Sequence, residues 1–111
     1  MDKLAEKSCV PCEGGVDPLA RDAAEALMAQ IDDGWQLVDK ATRIRRDFSF
    51  GNFYKTMEFV NALAFIANAQ GHHPDLTVGY DYCHVTFSTH AIDGLSENDF
   101  ICAARVDALF R

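Results

Sequence analysis

The stretch that decides the fold runs from Arg43 to Gly71: R-I-R-R-D-F-S-F-G-N-F-Y-K-T-M-E-F-V-N-A-L-A-F-I-A-N-A-Q-G. Its hydrophobic period changes partway along. From Arg43 to Phe50, Ile44, Phe48 and Phe50 fall on one face of an extended segment, and Arg43, Arg45, Asp47 and Ser49 on the other. After Gly51-Asn52 the spacing becomes helical: Phe53, Met57, Val60, Ala64 and Ala67 recur at three and four residues, with Phe59, Leu63 and Ile66 beside them. Gly71 stops that helix, because glycine tolerates the left-handed cap conformation. Arg46 interrupts the apolar face of the strand. Pairing with an acid at a sheet edge is the favoured reading, and holding a ligand is the other.

Working outward, Trp35 to Val38 reads as the partner strand, turning through Asp39 to Thr42. Before it, Asp17-Pro18 looks like an N-cap and a first helical residue, with Leu19, Ala23, Leu27 and Ile31 at helical spacing and Gly34 as the close. After the long helix, Thr77 to Tyr80 reads as a strand and Asp81-Tyr82 as the turn. Cys83, Val85 and Phe87 then alternate inward on a strand that runs to Thr89, and Ala91 to Gly94 is a loop. Ser96-Glu97-Asn98-Asp99 is a capping-box pattern opening a last helix, with Phe100, Ala103 and Phe110 facing inward and Ile101 and Ala104 beside them. The order α-β-β-α-β-β-α predicts an α+β fold: a four-stranded antiparallel sheet with three helices packed on one face. The other face is left for a ligand or a partner subunit. Residues 1–16, polar and carrying Gly14 and Gly15, read as an N-terminal arm; residues 17–111 form one domain.

Composition narrows the function. The chain has 111 residues, 49% of them hydrophobic and 24% charged, as in one ordinary globular domain. A domain this small gains by burying more surface in an oligomer. The formal net charge of -7 repels phosphate backbones and anionic lipid, so nucleic-acid and membrane binding are disfavoured. No apolar run approaches the ~20 residues of a membrane span. The start, M-D-K-L-A-E-K-S, lacks the basic-then-apolar pattern of a signal peptide, so the cytoplasm and reduced thiols are expected. Of the four cysteines, Cys9 and Cys12 form a C-x-x-C, while Cys83 and Cys102 stand alone. No second pair completes a zinc site, and no βαβ pattern accompanies a redox motif. Two incidental thiols on an arm is the favoured reading; a regulatory disulfide or a shared metal site is the alternative.

Chemistry concentrates in the histidines. His72 and His73 come directly off the end of the long helix, Pro74 restricts His73 to an extended conformation, and His90 ends a strand. A rigid scaffold often holds reactive groups at such element ends. Histidine titrates near neutrality, so a cluster holds an acid and a base together. Capping the negative end of the helix dipole explains His72-His73 equally well from spacing alone. A three-histidine metal site lacks the usual H-x-H or H-x-x-x-H spacing. His84 alternates with Cys83 and Val85 and reads as an ordinary exposed side chain.

The stretch G-H-H-P-D-L-x3-Y-x9-H-x8-D, from Gly71 to Asp99, resembles the signature of the pterin-4a-carbinolamine dehydratases. The resemblance extends through Gly34-Trp35, I-R-R-D-F-S-F-G-N-F (Ile44 to Phe53), F-V-N-A-L-A (Phe59 to Ala64) and T-H-A-I-D-G-L-S-E-N-D-F (Thr89 to Phe100). C-V-P-C-E-G-G, Cys9 to Gly15, is similar to the arm of bacterial members. The resemblance implies dehydration of a 4a-hydroxytetrahydropterin left by an aromatic amino acid hydroxylase, giving a quinonoid dihydropterin for recycling. It implies no metal or organic cofactor, and assembly into a homodimer or homotetramer. By position, His72, His73 and His90 match the family's active-site histidines: His72 and His90 for acid and base work, His73 to orient the pterin and assist. Asp75 is expected to contact the ring's polar edge or fix a histidine tautomer. Asp99 matches an acidic position, although its capping-box role explains it as well. Tyr80 matches the signature as a packing aromatic.

One residue departs from the pattern. Asn68, four before His72, stands where the family usually has a charged residue, often glutamate. Asparagine carries no charge to stabilise an imidazolium but still forms hydrogen bonds, so a changed pH profile is expected rather than a dead site. Relatives of this fold also serve as dimerisation cofactors of transcription factors and as assembly chaperones, and a pterin-related role in molybdopterin metabolism is a third reading. Retention of all three histidines favours the dehydratase.

Overall fold

The computed structural model describes residues 4–11 and 14–111. Three helices and four strands follow in the expected order: α1 (Arg21–Met28), β1 (Gln36–Val38), β2 (Arg43–Ser49), α2 (Phe53–Gln70), β3 (Asp75–Val78), β4 (Tyr82–Phe87) and α3 (Glu97–Asp107). Short 3-10 turns occupy Leu4–Glu6, His90–Ile92 and Ala108–Phe110. The sheet is antiparallel throughout, in the order β1-β2-β4-β3. The two hairpins therefore join through β2 and β4, pairing Ile44 with Phe87 and Phe48 with Cys83.

That register puts the alternating apolar residues of both central strands on one face. Ile44, Phe48, Cys83, Val85 and Phe87 are buried there, and Phe59 and Leu63 of α2 and Phe100 and Ala103 of α3 complete the core. Each large side chain so buried contributes about 1.5–3 kcal/mol. The opposite face carries Arg45, Asp47 and His84. His84 is half-exposed, 3.1 Å from an Arg45 guanidinium nitrogen. Arg46, on the apolar side, donates to Asp107 at 2.7 Å, lies 3.4 Å from Asp32 and packs over the Phe48 ring at 4.4 Å. The structural reading of Arg46 holds. Trp35 Nε1 donates to the same Asp107 carboxylate at 2.8 Å, so the aromatic layer and the end of α3 are tied together.

Helix α2 forms as its ends dictate. Asn52 accepts from the Lys55 N–H at 2.9 Å, and Gly71 takes the left-handed cap at φ 64°. Elsewhere several boundaries move, β4 for one spanning Tyr82–Phe87 and stopping short of Thr89. Helix α1 begins at Arg21, not at Pro18, because the Leu19 N–H is spent on Leu95 O at 2.9 Å and the chain stays extended through Ala20. Strand β3 begins at Asp75, two residues early, because its ladder with β4 pairs Asp75 with Thr86. Phe110, expected inside, is half-exposed, because α3 ends at Asp107 and the following turn lays the ring over Phe48, Phe50 and Phe59 from outside.

The arm packs onto the domain. Leu4 is 2% exposed, Arg105 donates to Lys7 O, and Lys7 pairs with Glu97 at 2.9 Å. Val10 and the Asn98 side chain exchange two hydrogen bonds, of 3.1 and 2.7 Å. Cys9 Sγ lies 3.5 Å from Cys102 Sγ of α3. Cys12 lies outside the described residues.

Candidate active site

Three elements meet where α2 ends, and each delivers one part of the site. The glycine cap turns the chain out of α2 at once, with His72 N–H bonding back to Ala67 O at 3.1 Å. His72 therefore projects from the last turn toward α3, and its ring stacks 6.1 Å from buried Phe87 of β4. His90 arrives from the far end of β4 on the 3-10 turn. A cleft of about 400 Å³ lies between, lined by His72, His73, His90, Thr89, Asn98 and the arm residue Cys9, among others. The structure thus brings the three predicted histidines to one cavity, of a size that suits a small ring compound. A second cleft of similar volume surrounds Arg46 and Asp107 and contains no histidine.

Asp99 anchors the site. It is 0% exposed, and its Oδ1 lies 2.5 Å from His72 Nε2. Its other oxygen accepts from the Thr89 hydroxyl at 2.8 Å and from the Ser96 N–H at 3.0 Å. The capping-box reading of Asp99 holds through Oδ2, while Oδ1 meets His72. Burial opposes charge on His72, but the hydrogen bond and the charge of Asp99, aided by Cys9, outweigh it and hold the ring above its ordinary 6.5. The His72 ring is thus tied through Nε2 to the buried Asp99 carboxyl.

His73 and His90 differ from it in being exposed. Asn68 Oδ1 lies 3.0 Å from His73 Nε2, so the departing residue serves the second histidine, not the first. This uncharged partner fixes the ring's orientation. Asp75 stands apart from the cleft on β3, exposed, 3.8 Å from Arg43. Its predicted part in fixing a histidine falls to Asp99. Tyr80 is exposed and packs on Phe53 with centroids 6.1 Å apart.

Three contributors were not singled out in the sequence. Thr89 orients Asp99, Asn98 holds the arm, and Gln70 accepts from the Cys9 N–H at 2.7 Å. Thr89 is adjacent to His90 and was legible as a neighbour; Asn98 and Gln70 sit at helix ends, where nothing in the spacing marked their contacts with the arm. Among the described residues no cluster of His, Cys, Asp and Glu is arranged to hold a metal ion, and no helix is long and apolar enough to cross a membrane.

Comparison with known proteins places these features in context. Residues 17–109 match the family described as pterin 4 alpha carbinolamine dehydratase. A Nitrosomonas europaea protein provisionally named pterin-4-alpha-carbinolamine dehydratase is 57% identical over 108 residues, 97% of this chain and 94% of that protein. A Nitrosospira multiformis protein of the same provisional name is 55% identical across 100% of this chain and 96% of its own. Among solved structures, a Brucella melitensis transcriptional coactivator/pterin dehydratase superposes with a TM-score of 0.78 at 30% identity, covering 84% of this chain and 98% of that one. A pterin dehydratase-like protein described as a RuBisCO assembly factor in the alpha-carboxysome gives 0.60 at 31% identity, covering 68% and 88%.

Proposed function

Because the chain belongs to the pterin 4 alpha carbinolamine dehydratase family, we propose that its histidine cleft converts a 4a-hydroxytetrahydropterin to a quinonoid dihydropterin and water. The observation that carries this reading is the pairing of His72 with fully buried Asp99 at a cleft shared with His73 and His90. The reaction breaks the C4a–O bond, releases the N5 proton and leaves a C4a–N5 double bond. One group must protonate the departing hydroxyl and another must accept the N5 proton.

His72, biased toward its cationic form by Asp99, suits the acid. His90, exposed at the same cleft, suits the base. His73, steadied by Asn68, orients the ring. Asp99 is a positioning residue: it fixes the His72 tautomer and returns the ring to its protonated state. Asp75, on the outer face of the sheet against Arg43, is given no part in the reaction. This chemistry needs no metal or organic cofactor. It fits tetrahydropterin recycling beside an aromatic amino acid hydroxylase, by a homodimer or homotetramer.

A 4a-hydroxytetrahydropterin generated by a phenylalanine hydroxylase and followed by ultraviolet absorbance tests the proposal. Wild type accelerates its decay, and His72→Ala and His90→Ala do not. Decay at the spontaneous rate with folded wild type would sink the enzyme reading. It would favour the second reading, a non-enzymatic assembly module, which the likeness to the RuBisCO assembly factor supports.

A further inference from the structure

Cys9 and Cys102 come from opposite ends of the chain, yet their Sγ atoms lie 3.5 Å apart. This contact joins the arm, which lines the cleft, to α3. Cys9 is half-buried, lines the cleft beside His72, and is fixed by its own N–H to Gln70. Cys102 is fully buried in α3, three residues after Asp99. We propose that Cys9 and Cys102 form a reversible disulfide under a hydroperoxide, making the arm a redox-modified wall of the cleft.

The sulfurs need to approach by about 1.5 Å to reach a bond of ~2.05 Å. The arm and the half-buried Cys9 side chain supply that movement, held at this point by hydrogen bonds to Gln70 and Asn98. The electronic arrangement assists. The contact with Cys102 holds the Cys9 thiol below its ordinary range against the effect of burial, with the His72 charge adding to this; the same contact and burial push Cys102 up. Cys9 is therefore the attacking thiolate and Cys102 the resolving thiol.

The chemistry balances in two steps. Cys9 attacks the peroxide O–O bond and becomes a sulfenic acid, releasing water or an alcohol. The Cys102 sulfur then displaces the sulfenic oxygen, which leaves as water, and the S–S bond forms. Two thiols are oxidised by two electrons and one hydroperoxide is reduced. Cys83 takes no part: it is fully buried in β4, with its thiol pushed up to about 11 by burial. None of this depends on what the cleft binds.

The test is hydrogen peroxide treatment of the full chain, followed by thiol counting under denaturing conditions and non-reducing peptide mapping. Free thiols fall from four to two, the map links Cys9 to Cys102, and dithiothreitol restores all four. The link persists in Cys12→Ser and is absent from Cys9→Ser and Cys102→Ala. Circular dichroism checks that Cys102→Ala is folded, and Cys9→Ser, altering a half-buried arm residue, tests the pair without disturbing the core. Hydrogen exchange at the Cys9 and Val10 amides slows in the oxidised protein. A link between Cys9 and Cys12, loss of the link in Cys12→Ser, or oxidation that stops at a sulfinic acid on Cys9 would each overturn the assignment. So would four free thiols remaining after treatment.

Discussion

Asp99→Asn isolates the charge that the structure places behind His72. The amide keeps the volume of a side chain that is 0% exposed, and its oxygen still accepts from Thr89 and Ser96. What changes is the contact with His72 Nε2, now 2.5 Å from a carboxylate oxygen. A charged hydrogen bond of about 1.5–3 kcal/mol becomes a neutral one of about 0.5–1.5, so stability falls by roughly 1–2 kcal/mol. A domain with a total of about 5–15 kcal/mol stays folded. Turnover suffers more: a positioned acid–base group contributes about 10²–10⁴-fold, and kcat falls within that range. The sign of the pH effect follows from the wild type. Burial opposes the cation, Asp99 more than offsets it, and the folded value lies above 6.5. The pair's contribution to stability is thus fully present below pH 6.5 and fades as pH rises through the folded value. The variant loses this contribution, so its stability gap to wild type narrows with rising pH. The limb of the kcat profile that requires protonated His72 moves to lower pH. Urea titrations at several pH values and the absorbance assay read both effects. An undiminished kcat, or a profile unmoved in a folded variant, would refute the role given to Asp99.

Other expected outcomes follow from single contacts. Arg46→Ala leaves Asp107, 11% exposed, without its 2.7 Å partner and costs about 3 kcal/mol in urea unfolding; Arg46→Met with Asp107→Asn, which removes both charges and keeps an acceptor for Trp35 Nε1, recovers part of it. Asn68→Glu places a carboxylate at the 3.0 Å contact with His73 and favours the imidazolium in the variant. An NMR titration then finds His73 protonated to higher pH than in wild type. Lys40→Gly raises stability by about 1 kcal/mol, because Lys40 is an exposed non-glycine residue at φ 57° in the β1–β2 turn. Thr89→Val removes the hydroxyl that donates to Asp99, costs about 1–3 kcal/mol and lowers kcat by loosening His72.

Much of this protein was written locally. The switch from period two to helical spacing at Gly51-Asn52 set β2 and α2, and the alternation of Cys83, Val85 and Phe87 set the inner face of β4. Capping chemistry at Asn52, Gly71 and Ser96 fixed helix ends to the residue, because the groups involved lie within one turn of chain. The Asp17-Pro18 cap failed for the opposite reason. Its rival was a hydrogen bond to Leu95, far away in sequence, and long-range pairing won over local propensity.

The same division runs through the site. The sequence by itself determined that His72 and His73 leave a helix at a glycine stop and that His90 ends a strand, since spacing and backbone preference suffice for that. Only the tertiary structure decided which carboxylate each ring meets. Asp75 is two residues from His73 yet turns toward Arg43, because strand alternation carries it to the outer face. Asp99 is 27 residues from His72 and touches it, because α3 packs on the end of α2 with its capping residue pointing inward. Cys9 reaches Cys102 across 93 residues for the same kind of reason. A side chain's partner depends on how separate elements pack, and no short-range pattern in the chain records that.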